Sequence, residues 1–415
     1  YSGGETGSVV KDPESVKIRY AFAFPDTYEI GMSHLGIKIL YDVLNRRSDT
    51  YCERTYAPWI DMEEQMRLFD VPLFTNETHT PVKQFDFLGI TLQYEMCYSN
   101  ILNMLSLAKI PLKSCDRGED DPFVNGGGPC AYNPEPIADF FDFFTIGEGE
   151  EVIGELMDAF LEWKKSGKKR IDYLKRIAQI EGIYVPCLYD VKYNPDNTIK
   201  AMTPRVKEAK PRIKKRIISN LDKVCYPQNV IVPFSDIVHD RANIEVFRGC
   251  IRGCRFCQAG MIYRPVREKQ PGTLLCDAKN LIESTGYEEL GLSSLSTSDY
   301  TKLPYLTDEL LKLTESKRVS LSLPSLRLDN FSLELMQRVQ KVRKSGLTFA
   351  PEAGSQRLRD VINKNVSEND LVHAATLAFE GGYNTVKLYF MIGLPYEQYD
   401  DIKGIADLSE KVVEC

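Results

Sequence analysis

The sequence has 415 residues, 43% hydrophobic and 27% charged, a balance that fits a folded chain of about two domains and excludes a disordered one. No apolar run is long enough to span a bilayer, and the start, Tyr1-Ser-Gly-Gly, lacks a basic-then-apolar leader pattern. A net charge of −7 disfavours broad nucleic-acid affinity, and eleven scattered cysteines, an odd number, fit free thiols and cluster ligands in a reducing cytoplasm better than a disulfide framework.

Tyr1 stands where an initiator methionine is due, so the natural chain is expected to start earlier. Residues 17–24 read as a buried strand that Pro25-Asp26 ends. The polar, glycine-bearing turn 28–36 follows, with Gly31, Ser33 and Gly36, and runs into a helical pattern over 37–44. A second strand is expected near 55–57 and a helix over 61–68; a third strand covers 87–93, and residues 94–99, starting at Tyr94, cross into a helix over 100–108. Pro122-Phe-Val-Asn-Gly126-Gly127-Gly128-Pro129 then ends a strand in glycines, which lets a large ligand approach the backbone. A further strand at 143–146 ends in Gly147-Glu-Gly-Glu150 and opens a helix over 152–163. Strands alternating with helices imply a doubly wound α/β sheet whose ligand crevice lies at the strand C-terminal ends.

The stretch 166–243 reads as a linker with small β elements: Asn194-Pro-Asp-Asn197 is a turn between two short strands. Arg205, Lys207, Lys210, Arg212, Lys214, Lys215 and Arg216 form a basic run, either a solvated connector or a groove for an anionic substrate such as RNA. No aromatic stacking pattern interleaves the charges, which favours the connector.

From residue 244 the alternation resumes. A short strand at 244–247 leads into Cys250-Ile-Arg-Gly-Cys254-Arg-Phe256-Cys257, a C-x3-C-x2-C set eased by Gly249 and Gly253. A zinc knuckle needs a second ligand pair, and none is near; a disulfide suits a small secreted domain. Three thiolates at this spacing fit one cubane 4Fe–4S cluster with an iron left open for a ligand. Further strands are expected at 288–295, 319–323, 346–350 and 384–391. They end in the turns Ser294-Leu-Ser296-Thr-Ser-Asp299, Ser325-Leu-Arg327-Leu-Asp329, Pro351-Glu352-Ala-Gly354-Ser355 and Gly393-Leu-Pro395. Helices at 306–314, 333–343, 355–361 and 368–379 alternate with them, with a last one at 398–413. Polar and glycine residues after each strand are what a barrel's catalytic rim requires.

The cysteine motif, with Phe256 just before its third cysteine, resembles the signature of radical S-adenosylmethionine (SAM) enzymes. Gly127-Gly-Pro129 followed by Gly147-Glu-Gly-Glu150 resembles the N-terminal cobalamin-binding domain that many such proteins carry. The resemblance implies residues 1–165 as a Rossmann or flavodoxin-like cobalamin-binding-like domain, 166–243 as the linker, and 244–415 as a partial (β/α)6 radical SAM barrel. Only five barrel strands are readable, so the natural chain is expected to continue past Cys415 and the barrel to show an open edge.

The same resemblance assigns Cys250, Cys254 and Cys257 to the cluster. It gives Phe256, Ser294, Ser296, Arg327, Glu352, Ser355 and Gly393 to SAM. It gives Gly31, Ser33, Gly36, Tyr94, Gly126, Gly127, Gly128, Pro129 and Gly147 to cobalamin, with Tyr94, Glu95 or Met96 below the cobalt. The family's D-x-H-x-x-G cobalt motif is absent, since Met32 and Ile37 fill its outer positions, so His34 reads as a helix-start or core residue. The second-strand turn, Ser-Ser-Leu-Ser, also departs from the Gly-Gly-Glu of many members.

The implied activity is reductive SAM cleavage and modification of an unactivated C–H bond, with cobalamin as methyl donor and flavodoxin or ferredoxin as reductant. A methylthiotransferase acting on RNA or a ribosomal protein is the rival reading. It requires a second cluster, for which Cys97, Cys130 and Cys115 are the candidates, although Pro25-Asp26 occupies the strand end where that family places a cysteine. A non-catalytic cobalamin or redox sensor is the third.

Overall fold

Seven consecutive residues, Ile18–Phe24, form strand β1, and all but Arg19 are buried. So continuous an apolar run marks a strand covered on both faces, which only a parallel sheet between helices provides. The computed structural model describes residues 4–167, 169–323 and 347–415, and the chain divides into two compact units. The first comprises 1–219 and 224–240, the second 220–223 and 241–415.

In the first unit β1 is followed by α1 (Tyr28–Gly31), α2 (Leu35–Asn45), β2 (Thr50–Tyr56), α3 (Ile60–Leu68), β3 (Phe87–Thr91) and α4 (Tyr98–Leu107). Then come β4 (Phe123–Gly127), β5 (Phe143–Thr145), α5 (Gly149–Ser166), α6 (Arg170–Ile177) and β6 (Ile183–Tyr184). The sheet order is β2-β1-β3-β4-β5-β6; the first five strands are parallel and β6 is antiparallel to β5. The order reverses between β1 and β3, the flavodoxin-like switch point. Phe87, Phe123, Phe160 and Tyr173 interlock on one face, with Phe87–Phe160 and Phe123–Tyr173 ring centroids each 4.7 Å apart.

The stretch expected as a linker contributes to this core: Tyr173, Ile177, Ile183 and Tyr184 are buried in it. Its two short strands, β7 (Tyr189–Tyr193) and β8 (Ile199–Pro204), form an antiparallel hairpin.

β2 is longer than the sequence pattern suggests. It carries Glu53 and Arg54, yet all seven of its residues are buried. The charges are matched: Glu53 meets Arg19 at 2.5 Å, and Arg54 meets Glu5 at 2.5 Å and Glu77 at 2.7 Å. At the opposite sheet edge Asp142, before β5, lies 2.9 Å from both Arg117 and Arg170.

The second unit contains β9 (Ala242–Glu245), β10 (Phe247–Arg248), α7 (Ala259–Ile262), β11 (Arg267–Glu268) and α8 (Pro271–Thr285). They are followed by β12 (Glu289–Ser293), α9 (Leu303–Glu315), β13 (Ser320–Ser322), β14 (Leu347–Glu352), α10 (Gln356–Val361), α11 (Glu368–Glu380), β15 (Val386–Phe390) and α12 (Tyr399–Val413). β9, β12 and β13 form a parallel sheet in the order β13-β12-β9, and β14 pairs parallel with β15. These are the five strands expected for the barrel; among the described residues no sixth parallel strand joins them. Helix α8, which the sequence reading passed over, starts with Pro271 in its first turn and ends at Gly286 in the left-handed region.

Candidate active site

The cysteine loop is closed at its base by β10 and β11, which pair antiparallel through Phe247–Glu268 and Arg248–Arg267. Gly249 turns the chain at φ +98°, and a Cβ there would lie 2.8 Å from the Pro265 carbonyl oxygen, so glycine is required. The loop that follows is held from several sides. Arg264 donates from Nη2 to the Arg252 carbonyl at 2.9 Å and from Nε to the Cys250 carbonyl at 3.3 Å. The Arg252 guanidinium forms a two-pronged pair with Asp299, the Nε–Oδ2 arm at 3.1 Å. The Arg255 amide donates to the Ile362 carbonyl at 2.8 Å, its guanidinium to the Val361 carbonyl, and Asn363 Nδ2 to the Gly253 carbonyl at 2.8 Å.

Cys250 and Cys254 are half-buried, Cys257 is exposed, and among the described residues no cysteine is in a disulfide. No three described His, Cys, Asp or Glu side chains form a site for a single metal ion. A cubane makes a different demand, since each thiolate meets a different iron. Three thiols on one fixed loop fit that demand.

Those contacts bring two of the expected SAM segments to the same loop, the turn with Ser294 and Ser296 and the strand end at Glu352. Asp299, the partner of Arg252, ends the turn after β12 that carries Ser294 and Ser296. Ser294 Oγ lies 2.9 Å from Thr297 Oγ1, whereas Ser296 is 3% exposed and its hydroxyl has no partner. A buried hydroxyl left without a bond costs free energy unless a ligand completes it. Glu352 ends β14 at φ +69°, uncommon for a non-glycine residue, and its carboxylate meets Lys364 Nζ at 3.1 Å. Gly393 follows β15, with no atom within 4 Å of where a Cβ would stand. Phe256 is partly exposed on the cysteine loop.

Ser355 is already engaged: its hydroxyl caps α10 by accepting from the Leu358 amide at 3.1 Å and donates to Asp401. Arg327 lies outside the described residues. Sequence reasoning missed Lys364, Asn363 and the Arg252–Asp299 pair.

In the first unit the glycines expected to cradle cobalamin do reach the C-terminal edge of the sheet, but the chain itself occupies most of the space beside them. A Cβ on Gly31 would lie 2.4 Å from the Tyr56 ring, on Gly36 2.7 Å from His34, on Gly126 2.9 Å from Leu92, and on Gly147 2.2 Å from the Arg216 carbonyl oxygen. Gly128 turns at φ +112° against the Leu92 carbonyl, and Pro129 begins a short 3-10 turn. Only Gly127 has room, its nearest neighbours being atoms of Thr145 at 3.9 Å. Ser33 Oγ bridges the Glu29 carbonyl and the His239 amide. Tyr94, Glu95 and Met96 are exposed just past β3.

His34 is the N-cap of α2, its Nδ1 accepting from the Ile37 amide at 3.3 Å. Burial lowers its pKa to about 4, against an opposing hydrogen bond with Gln93, so the ring is neutral at pH 7.

Cys97 and Cys130 sit at this edge. Cys97 is buried and bonded to the Tyr94 carbonyl at 2.9 Å; burial, then the nearby Glu95 and Cys97, push the Cys130 thiol up to about 11. Cys115 is exposed in the segment before β4, while Cys130 follows that strand.

Of the basic run, Arg205 pairs with Asp190, Lys214 with Glu181 and Arg216 with Glu151 and Glu155, while Lys215 lies over the Tyr132 ring. Much of its charge is neutralised in place.

Comparison with known proteins adds the following. The family described as "Radical SAM proteins, N-terminal" matches residues 36–186, and "Radical SAM superfamily" matches 244–409. Uncharacterized protein MJ0966 of Methanocaldococcus jannaschii is 30% identical over 397 residues, 94% of this chain and 73% of that protein. The ribosomal protein uS12 methylthiotransferase RimO of Clostridioides difficile is 24% identical over 183 residues, 41% of this chain and 40% of its own. Among solved structures the fold is similar to TsrM from Kitasatospora setae, a radical SAM methyltransferase seen with cobalamin and a 4Fe–4S cluster. That match has a TM-score of 0.63 at 12% identity and covers 96% of this chain and 71% of TsrM. It is also similar to OxsB, a cobalamin-dependent SAM radical enzyme seen with aqua-cobalamin and SAM, with a TM-score of 0.61 at 13% identity, over 94% of this chain and 51% of OxsB.

Proposed function

The chain belongs to the radical SAM superfamily, and from that premise we propose that it modifies an unactivated C–H position by methyl transfer. Cys250, Cys254 and Cys257 would hold a 4Fe–4S cluster for the cleavage of SAM, and the first unit would hold cobalamin as the methyl source. When bound, the cluster supplies one electron to the sulfonium of SAM, whose C–S bond breaks to give methionine and a 5′-deoxyadenosyl radical.

The observation that carries this reading is the contact path around the cysteine loop. Arg252–Asp299 joins the loop to the turn with the unpartnered Ser296 hydroxyl, and the 361–364 turn joins it to Glu352. Ser296 Oγ is suited to receive the amino group or ribose of SAM. Glu352, fixed by Lys364, accepts hydrogen bonds from the ribose hydroxyls, and the glycine turn at Gly393 leaves room for the adenine. Ser355 then acts through the helix cap.

For cobalamin, Gly127 offers the open strand end, and the exposed Tyr94, Glu95 and Met96 would line the lower face, since His34 is buried with Nδ1 on the Ile37 amide and a further hydrogen bond to Gln93.

The methylthiotransferase reading draws on the partial similarity to RimO. An RNA substrate finds little support in the basic run, in which Arg205, Lys214 and Arg216 are paired with acidic partners. No described helix is long and apolar enough to cross a membrane. Flavodoxin or ferredoxin in the reducing cytoplasm is the proposed electron source.

Turnover tests the proposal: reconstituted protein, reductant and SAM carrying a labelled methyl group are incubated with cell extract. The expected result is 5′-deoxyadenosine together with labelled product, dependent on added cobalamin. A product carrying the labelled methyl on a newly added sulfur would instead point to methylthio transfer.

A further inference from the structure

The cysteine loop is gripped by the turn 361–364 that ends α10. Three hydrogen bonds join them: Arg255 N–H to the Ile362 carbonyl at 2.8 Å, the Arg255 guanidinium to the Val361 carbonyl, and Asn363 Nδ2 to the Gly253 carbonyl at 2.8 Å. All three fall on residues 253–255, around Cys254. The next residue of the same turn, Lys364, holds the Glu352 carboxylate at 3.1 Å with both side chains largely buried. One four-residue turn therefore touches the loop with one hand and the end of β14 with the other.

We propose that Asn363 is a positioning residue: through its amide, the 361–364 turn clamps the loop at residues 253–255, around Cys254, and fixes its place relative to Glu352. This rests on the cluster reading above but not on the substrate. Asn363 has a simpler role available, since it sits at φ +55° just past a helix, where asparagine is favoured for its backbone alone. Two observations exceed that role. The side chain, which a helix end does not require, reaches a carbonyl 110 residues away in sequence. The recipient is also a glycine, and a Cβ on Gly253 would stand 3.0 Å from Asn363 Nδ2, closer than side chains normally approach. The loop is cut away where the amide arrives.

The two roles separate cleanly because glycine is the best residue at a left-handed helix end. Asn363→Gly keeps or improves the helix terminus and deletes only the clamp. Hydrogen exchange of the full chain before reconstitution gives a readout that needs no cluster. The amides of 253–257 are expected to exchange about threefold to tenfold faster in N363G, the fold-change of one lost hydrogen bond, while the amides of α10 are unchanged. After reconstitution, N363G is expected to bind iron fully but to lose it to a chelator faster by a similar factor. Its reduced-state EPR signal should also respond differently to SAM.

Gly253→Ala tests the contact from the other side and should reproduce the faster exchange, which covers the case in which N363G does not fold. Unchanged exchange and chelator release in the folded variants overturns the clamp. Wild-type protein that takes up no iron but shows the N363G exchange difference would instead remove the cluster reading and leave the clamp standing.

Discussion

The two units present similar strand-end loops and fill them differently. At the C-terminal edge of the first sheet, Gly31, Gly36, Gly126, Gly128 and Gly147 press against the chain's own atoms. In the second unit Ser296 keeps a buried hydroxyl without a partner, Gly393 borders open space, and Cys257 is exposed. Glycine-rich strand ends can thus be explained by packing alone. Unmet hydrogen-bonding capacity cannot, because burying it without a partner costs free energy. At these glycine-bearing strand ends the evidence for a ligand is therefore stronger in the barrel unit than in the sheet unit.

If the first unit is satisfied by its own contacts, it should be broken most easily by removing one. Asp142→Ala leaves the buried Arg117 and Arg170 guanidinium groups facing each other, and a loss of about 3–5 kcal/mol is expected in denaturant unfolding of this unit. A loss below 1 kcal/mol would show that solvent reaches the cluster.

The His34 contrast comes next. Its folded pKa of about 4 lies below the ordinary 6.5, so between these values the unfolded chain binds a proton that the native ring refuses. The His34 contribution to stability should be flat above pH 6.5 and fall by at most about 3 kcal/mol as the pH drops to 4. His34→Asn, which retains an N-cap side chain, should remove this part of the slope. The same variant should leave the spectrum of bound cobalamin unchanged; loss of cobalt coordination would restore histidine as a ligand.

Ser296→Ala should weaken SAM binding by about 1 kcal/mol, roughly fivefold, without lowering the unfolding midpoint. Unchanged SAM affinity would reduce the second unit's apparent advantage to a packing defect. The smallest change is expected at Gly127→Ala, where a methyl group has room. Stability should stay within about 0.5 kcal/mol, and weakened cobalamin binding alone would mark the strand end as a ligand contact.

The same physics decides what the sequence could disclose. Strands β1, β3 and β12 were legible because buried parallel strands read as apolar runs. β2 was legible only at its end, near 55–57, because Thr50-Tyr-Cys-Glu-Arg-Thr-Tyr56 looks half polar until Arg19, Glu5 and Glu77 arrive from distant segments. Helix α8 was readable, with Leu274, Ala278, Leu281 and Ile282 on its buried face and Gly286 closing it. The cysteine triad announced itself by spacing. Its supports did not: Asp299, Asn363 and Arg264 lie up to 110 residues from their partners and follow no local pattern. Ser355 misled in the opposite direction, since one hydroxyl can cap a helix or meet a ligand and the sequence does not say which.

Iron and sulfide content of anaerobically reconstituted protein, wild type beside the triple variant Cys250→Ala, Cys254→Ala, Cys257→Ala, tests the central claim most directly. The account predicts about four irons and four sulfides per wild-type chain, with 5′-deoxyadenosine formed on reduction with SAM, and neither cluster nor SAM cleavage in the variant. A variant that retains the full cluster, or a wild-type chain with twice that iron, would contradict it.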